Sequence, residues 1–218
     1  RFKQFRDLVT QMSFISQWEK SGEQVRIFDN IVSKKESEKI KNTLFEKTFP
    51  WYFTNDISHV DNEYQRRPGH FHLFMDKGNS NSAAVEIVKS ISDKVNKKLK
   101  KNLSMYQVRS FLQLPLNEKL LFKDNRQKED TPHIDIDRPH TVFLYYVNDA
   151  DGDTVIYDYV SKNIKDVPYY EDLSIIKKVT PKQGRVIVFD GMTWHSSTQP
   201  TKGPRCIINF DMVWDLTI

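Results

Sequence analysis

The chain of 218 residues has one cysteine, Cys206, so an internal disulfide is excluded, and nothing in its cysteine usage points to an oxidising compartment. No apolar run approaches the roughly 18 residues that a membrane span requires, and no membrane partner is expected. Glycine is scarce, at seven residues, and with nine prolines and no internal repeat or low-complexity tract this argues against a fibrous or disordered chain. Charge of one sign is lacking too. The 33 basic and 29 acidic residues leave a net charge of +4, with acids interleaved throughout, which describes a solvated surface and gives no clear sign of a nucleic-acid partner. With no targeting segment in the chain as it stands, a cytoplasmic location is expected. The first residue is Arg1, so a segment upstream would not be visible in it.

What is present suffices for a core: hydrophobic residues make up 38% and aromatic residues 12%. The length fits a single domain over residues 1–218, with 1–104 mainly helical support carrying short strands and 105–218 the principal β core. Helical spacing recurs at Phe5, Leu8, Val9, Met12 and Ile15 within Phe2 to Trp18. A short strand at Ile27-Phe28 precedes Ser33 and Glu36, spaced as a capping box, and Ile40 and Leu44 continue that helical face. "PWYFTNDI" and "HFHLFM" read as extended, Gly78 to Ser82 as a turn, and Ser82 to Leu99 as a helix with Val88, Ile91, Val95 and Leu99 on one stripe. Beyond Met105, six short β-branched and aromatic runs alternate with turn signals such as "NDADGD" and "PKQG". That pattern predicts an α+β fold whose core is a jelly roll of two antiparallel sheets, with the helices on one face. Ser161 to Leu173, which holds "VPYYED", reads as a surface loop over a site. Cys206, in "RCIINF", reads as a small core residue.

"PHIDIDRPHTVFLYYVN", from Pro132 to Asn148, sets two histidines and two aspartates against an almost wholly apolar strand. His133 and Asp135 are two residues apart, a spacing that turns both to one face of an extended chain. Far downstream, His195 follows the strand "GRVIVFD" and a glycine turn. Two imidazoles and one carboxylate on one side of a metal form the facial triad of non-haem Fe(II) oxygenases, which leaves three positions open. His-x-Asp alone is a weak signal. Ten residues after His195, Arg205 begins a strand on which Arg205, Ile207 and Asn209 share one face, and an inward arginine is costly unless it meets an anion, for which its planar fork is suited.

This combination resembles the Fe(II)/2-oxoglutarate-dependent dioxygenases, in particular the prolyl 4-hydroxylase-like branch. The resemblance covers about Met105 to Trp214 and extends to "FLYYVNDADGDTVIYD", "VTPKQGRVIVFDG" and "WHSSTQPTKGPRCIINF". One departure is Gly152-Asp153, where the family usually pairs two glycines. The resemblance implies a double-stranded β-helix core. It implies that His133, Asp135 and His195 hold Fe(II) and carry the catalysis, and that Arg205 pairs with the distal carboxylate of 2-oxoglutarate. Tyr146 would donate to that carboxylate and Thr154 would line its pocket. O2 is the further co-substrate and ascorbate a candidate reductant. The implied reaction hydroxylates a substrate C–H bond, a peptidyl or free proline or other amino acid, with release of succinate and CO2.

Two other readings stand beside it: an oxygenase of the same fold acting on a small molecule or nucleobase, and a non-catalytic jelly-roll binding module that keeps a metal. The second arginine usual in base-repair demethylases is missing from "RCIINFDMVWD". His140 reads as a turn residue or as a neighbour that supports the site, Asp137 as a turn residue that pairs with Arg138 or contacts substrate, and Trp194 as packing. His70 and His72 share a face without a third ligand at a telling spacing. The oligomeric state is not readable from the sequence.

Overall fold

The computed structural model describes residues 24–57, 67–115, 129–162 and 168–214. The helical spacing within Phe2 to Trp18 lies outside them. The described chain forms β1 (Val25–Phe28), α1 (Lys34–Leu44), β2 (Tyr52–Thr54), β3 (Gly69–Asp76), β4 (Asn79–Ser80), α2 (Val85–Leu99), β5 (Ser104–Gln113), β6 (Thr141–Tyr146), β7 (Thr154–Val160), β8 (Ile175–Val179), β9 (Val186–Asp190), β10 (Thr193–Ser197) and β11 (Arg205–Val213). Neither helix is long and apolar enough to cross a membrane.

Two antiparallel sheets face one another. The larger runs β1-β9-β6-β11-β5-β3-β2, with β4 hairpinned onto β3, and the smaller runs β10-β7-β8. The segment before β6 adds to the smaller sheet through isolated bridges, Glu129 to Thr198 and His133 to His195. From β5 onward the chain therefore passes between the sheets repeatedly: β5 large, 129–133 small, β6 large, β7 and β8 small, β9 large, β10 small, β11 large. This is the jelly roll expected from the strand spacing, in the double-stranded β-helix form that the resemblance implies. The region before β5 belongs to the same sheet, since β3 pairs with β5 from Gly69 opposite Gln113 onward.

The alternation of side chains sorts the residues of each central strand between two cores. On β6, Phe143 and Tyr145 turn outward, where Ile40 and Leu44 of α1 and Val88, Ile91 and Val95 of α2 cover them. Val142, Leu144 and Tyr146 turn inward and meet Ile156, Val179 and Phe189 between the sheets. Both faces are thus apolar, which explains why "TVFLYY" has no polar alternation. On β11, Cys206, Ile208, Phe210 and Met212 join the outer core, whereas Arg205, Ile207, Asn209 and Asp211 form the opposite, inward row. By contrast, β8 pairs only with β7 among the described strands, exposes Ile175 to Lys178, and reads as a lysine-bearing edge.

Local signals hold with two adjustments. Ser33 caps α1, its hydroxyl accepting from the Glu36 amide at 3.3 Å. Glu36 also interacts back with the Ser33 backbone, and its role goes beyond the capping box. Its carboxylate reaches across to Ser90 and Lys94 of α2 and so ties the two helices. Second, α2 begins at Val85, because the Ser82 hydroxyl accepts from the Ala84 amide (3.1 Å) and donates to Nε2 of His72 (2.8 Å), whose Nδ1 hydrogen goes to the Pro50 carbonyl, instead of capping a turn of helix.

Candidate metal centre and anion pocket

The two sheets flank a cavity of about 70 Å³ that opens to solvent. His133, Asp135 and His195 line one part of it, with Arg205 and Thr154 also in its wall. Ligand atoms of the three metal-type residues all lie within 4.8 Å of one another.

Each imidazole is aimed by its other nitrogen. His133 Nδ1 lies 2.9 Å from the Thr131 carbonyl and His195 Nδ1 lies 3.0 Å from the Thr193 carbonyl. A carbonyl can only accept, so both Nδ1 atoms carry the hydrogen and, in the neutral rings, both Nε2 atoms present a lone pair. Two backbone hydrogen bonds between His133 and His195, at 2.9 and 3.0 Å, lock their strands together, and the rings lie 4.8 Å apart. Phe189 packs edge-on against His195 at 5.0 Å.

Asp135 arrives differently. The bridge ends at His133 and Asp135 lies in a bend, so no continuing strand carries the pair. The alternation survives because Ile134 packs outward with Val155, Tyr157 and Trp194, leaving its neighbours turned in. Asp135 Oδ1 accepts from Arg109 Nη2 at 2.8 Å, while Oδ2 is buried without a hydrogen-bond partner among the described residues, 3.2 Å from His195 Nε2. A carboxylate oxygen and an imidazole lone pair at that distance repel unless a proton or cation joins them. Two donors bound at right angles to one metal, each about 2.1 Å away, lie about 3 Å apart. The orphaned oxygen and the two converging lone pairs therefore fit a divalent transition metal.

Electrostatics follow from burial and neighbours. Burial pushes Asp135 upward, but His195, Arg109 and His133 outweigh it and hold the carboxyl well below its usual range. Burial pushes His195 down, and Asp135 reverses the shift. Behind Asp135, the wholly buried Asp211 accepts from Arg109 Nη2 at 3.2 Å. Burial and the charge of Asp135 push Asp211 up to about 8. His140 lies 3.7 Å from it, and burial lowers that imidazole to about 4. His140 is thus a buried neighbour of the site and not an exposed turn residue, and Gly191 gives it room, since an added Cβ would fall 2.1 Å from its Nε2. Asp137 is exposed, and Arg138 lies over the Tyr106 ring at 4.7 Å.

The other part of the cavity is cationic. Arg205 is buried and donates through Nε to the Gly152 carbonyl (2.8 Å), through Nη1 to Gln113 Oε1 (2.6 Å) and through Nη2 to Thr154 Oγ1 (2.9 Å). All three acceptors are neutral, and no carboxylate of the described residues forms an ion pair with it. Three of its five N–H groups are used, which leaves one on each terminal nitrogen. Burial lowers its pKa, and a buried guanidinium without a counter-charge is costly. Tyr146 Oη donates to Thr154 Oγ1 at 2.8 Å. When Tyr146 gives its one hydrogen to Thr154 and not to the Val179 carbonyl 3.3 Å away, Thr154 accepts from both Arg205 and Tyr146 and its own hydrogen is left to donate. Tyr146 itself is outside the cavity wall, and burial pushes its hydroxyl up to about 12.

Gly152 explains the Gly-Asp departure. A Cβ there would lie 2.6 Å from the Thr198 carbonyl and 3.0 Å from Arg205 Cδ, so only glycine admits the arginine. Asp153 needs no such room. Its amide and carbonyl bond Thr198, at 2.8 and 2.9 Å.

Sequence reasoning missed Arg109, Asp211, Gln113 and Asp130. Asp130 is buried, pairs with Arg67 at 3.0 Å, and accepts from Gln113 and Ser197 at 3.3 and 2.7 Å. Extending the inward row of β11 by two residues beyond Asn209 would have found Asp211. The even spacing of Gln107, Arg109, Phe111 and Gln113 on β5 carried a similar signal. His70 and His72 form no metal-type group among the described residues. His72 is packed between Phe49 and Phe74, and both of its nitrogens are engaged, with Pro50 and Ser82. Trp194 donates to Ser161 at 2.7 Å from within the outer packing.

No family model matches the chain, and a comparison with curated proteins finds no match. Solved structures do resemble it in fold. A 2OG-Fe(II) oxygenase family oxidoreductase from Burkholderia pseudomallei aligns over 94% of this chain and 91% of its own at a TM-score of 0.62 and 10% identity. A prolyl hydroxylase from Trichoplax adhaerens, in complex with a hypoxia inducible factor peptide fragment, aligns over 98% and 93% at 0.56 and 14% identity. A non-haem alpha-ketoglutarate-dependent epimerase of nogalamycin biosynthesis aligns over 97% and 88% at 0.61 and 9% identity. The fold of this chain is that of the 2-oxoglutarate–Fe(II) oxygenases, prolyl hydroxylases among them.

Proposed function

We propose that the protein is an Fe(II)- and 2-oxoglutarate-dependent dioxygenase that hydroxylates a C–H bond of a peptidyl or free proline or another amino acid. One observation carries the reading: a convergent two-histidine, one-carboxylate set and a buried arginine that meets no anion among the described residues line the same cavity. A binding module that kept a metal for structure has no use for that arginine, and an anion at Arg205 alone has no use for the triad.

His133, Asp135 and His195 would hold the metal from one side, because both Nε2 lone pairs and Asp135 Oδ2 converge while the opposite side faces the cavity. Fe(II) with 2-oxoglutarate supplies, when bound, the O2-dependent oxidation that turns C–H into C–OH and releases succinate and CO2. Arg205 would receive the distal carboxylate with its two unused N–H groups, and Thr154 would donate its free hydrogen to the same group. Tyr146 acts through Thr154, by occupying that hydroxyl's acceptor side. Gln113 steadies the fork, its oxygen on Arg205 and its amide nitrogen on Asp130 and Ser197. Phe111, Leu144 and Ile207 give the cavity an apolar wall that limits water around the metal.

The choice of proline rests on the resemblance of "HIDID…H…R" and its flanking strands to the prolyl 4-hydroxylase-like branch. Similar folds also serve an epimerase. The test is succinate release by the Fe(II)-loaded protein with 2-oxoglutarate, O2 and ascorbate, over a panel of proline-containing peptides, free amino acids and methylated nucleosides. Stimulation by proline peptides, with a mass gain of one oxygen, is expected. Stimulation by nucleosides alone would move the substrate class, and no turnover beside intact metal binding would favour the binding module.

A further inference from the structure

The three proposed metal ligands are not held alike. His133 and His195 are each fixed by a backbone carbonyl on Nδ1 and by the ladder between them. Asp135 lies in a bend, outside any strand. The hydrogen bond on its side chain comes from Arg109, at 2.8 Å. Arg109 is rooted in the middle of β5, which is paired on one side with β11 and on the other with β3. It is held from behind by Asp211 of β11 at 3.2 Å. A rigid strand of the large sheet thus reaches across the cavity to a carboxylate that its own loop leaves loose.

Reading His133, Asp135 and His195 as metal ligands, we infer that Arg109 is a positioning residue for the metal centre: it occupies Asp135 Oδ1 and leaves only Oδ2 to face the metal. The reason is geometric. A free carboxylate can turn both oxygens to a cation, as it often does toward large ions. Bidentate binding would consume one of the positions that the co-substrates need. A charge-assisted hydrogen bond to Oδ1 prevents that rotation. The orphaned state of Oδ2 is the other half of the same arrangement. Partners of this kind around a metal ligand typically alter metal affinity by about 10–100-fold when removed.

The test titrates Co(II), under anaerobic conditions, into the wild type, Arg109→Gln and Arg109→Lys, following the visible d–d absorption and the melting temperature of each metal-free protein. Wild type should bind one Co(II). Arg109→Gln should bind it about 10–100-fold more weakly, with an altered d–d spectrum as the second oxygen enters. Arg109→Lys, which restores a donor to Oδ1, should recover most of the affinity and the wild-type spectrum. A purely structural arginine would lower the melting temperature and leave affinity and spectrum unchanged in both variants, which overturns the inference. If Arg109→Gln does not fold, the double variant Arg109→Gln/Asp211→Asn, which removes the carboxylate left opposite Asp135, takes its place: weaker Co(II) binding with an altered spectrum supports the inference, and wild-type affinity and spectrum overturn it. Absence of Co(II) binding by the wild type overturns the metal reading itself, and so is distinguished from failure in the variants alone.

Discussion

Two arginines line one cavity and differ in what they touch. Arg109 faces two carboxylates, Asp135 and Asp211, through a single nitrogen. Arg205 touches a carbonyl, an amide oxygen and a hydroxyl. The first arginine belongs to a neutralised buried cluster, so its charge is spent within the protein. The second is buried without a counter-charge among the described residues, and in the proposed reading its charge is directed at an anion that arrives. The difference teaches how to tell a structural cation from a receiving one: ask not whether it is buried but whether the protein has already answered it.

The strongest way to break this comparison is to truncate both. Arg109→Met leaves Asp135 and Asp211 facing each other, and should destabilise the metal-free protein by about 3–5 kcal/mol, measured by urea unfolding. Arg205→Met removes an unanswered charge and should leave stability unchanged or raised. A comparable loss from both would erase the distinction. In the other direction, Arg205→Met should weaken 2-oxoglutarate binding by roughly 2–5 kcal/mol, with metal affinity kept, as calorimetry on Mn(II)-loaded protein would show. Equal loss of both ligands would mean that Arg205 serves the metal end.

A smaller perturbation tests the fit of the receiving arginine. Gly152→Ala forces a Cβ against the Thr198 carbonyl and Arg205 Cδ, and should cost about 1–3 kcal/mol of stability while weakening 2-oxoglutarate binding, since both contacts belong to the anion end. Metal affinity should hold. The smallest effect is expected next door. Cys206 points into the helix-covered core, so Cys206→Ala should cost about 1 kcal/mol of stability and nothing in 2-oxoglutarate affinity, although it adjoins Arg205 in sequence. Burial pushes the Cys206 thiol up to about 12. Below that value it stays protonated, so the folded protein should resist alkylation at pH 8, and rapid labelling there would contradict its placement.

Much of this was legible before the structure. The β-branched runs after Met105 gave the strands in order, and His133, Asp135, His195 and Arg205 stand around one cavity as their spacing and resemblance implied. Their legibility has a physical basis: period-two alternation reports the face a side chain takes, and polar residues on an inward row are conspicuous. What stayed hidden was pairwise. Nothing in "MYQVRSFLQL" says that Arg109 meets Asp135, because the contact joins opposite sheets through a bend that no periodicity encodes. Tyr146 shows the same limit. Its inward face was readable, but the hydroxyl ends on Thr154 and outside the cavity wall, so its influence on the anion is relayed. The reach of the Glu36 carboxylate to α2 was hidden for a like reason: its partners Ser90 and Lys94 stand 54 and 58 residues away, where no local pattern encodes them.

The most direct measurement of the central claim is an anaerobic titration of 2-oxoglutarate into Fe(II)-loaded protein, followed by visible absorption, with wild type and Arg205→Met side by side. The account predicts a metal-to-ligand charge-transfer band that saturates in the wild type and needs about 30-fold or more 2-oxoglutarate in the variant. A wild-type protein that binds Fe(II) yet develops no band at saturating 2-oxoglutarate would contradict it.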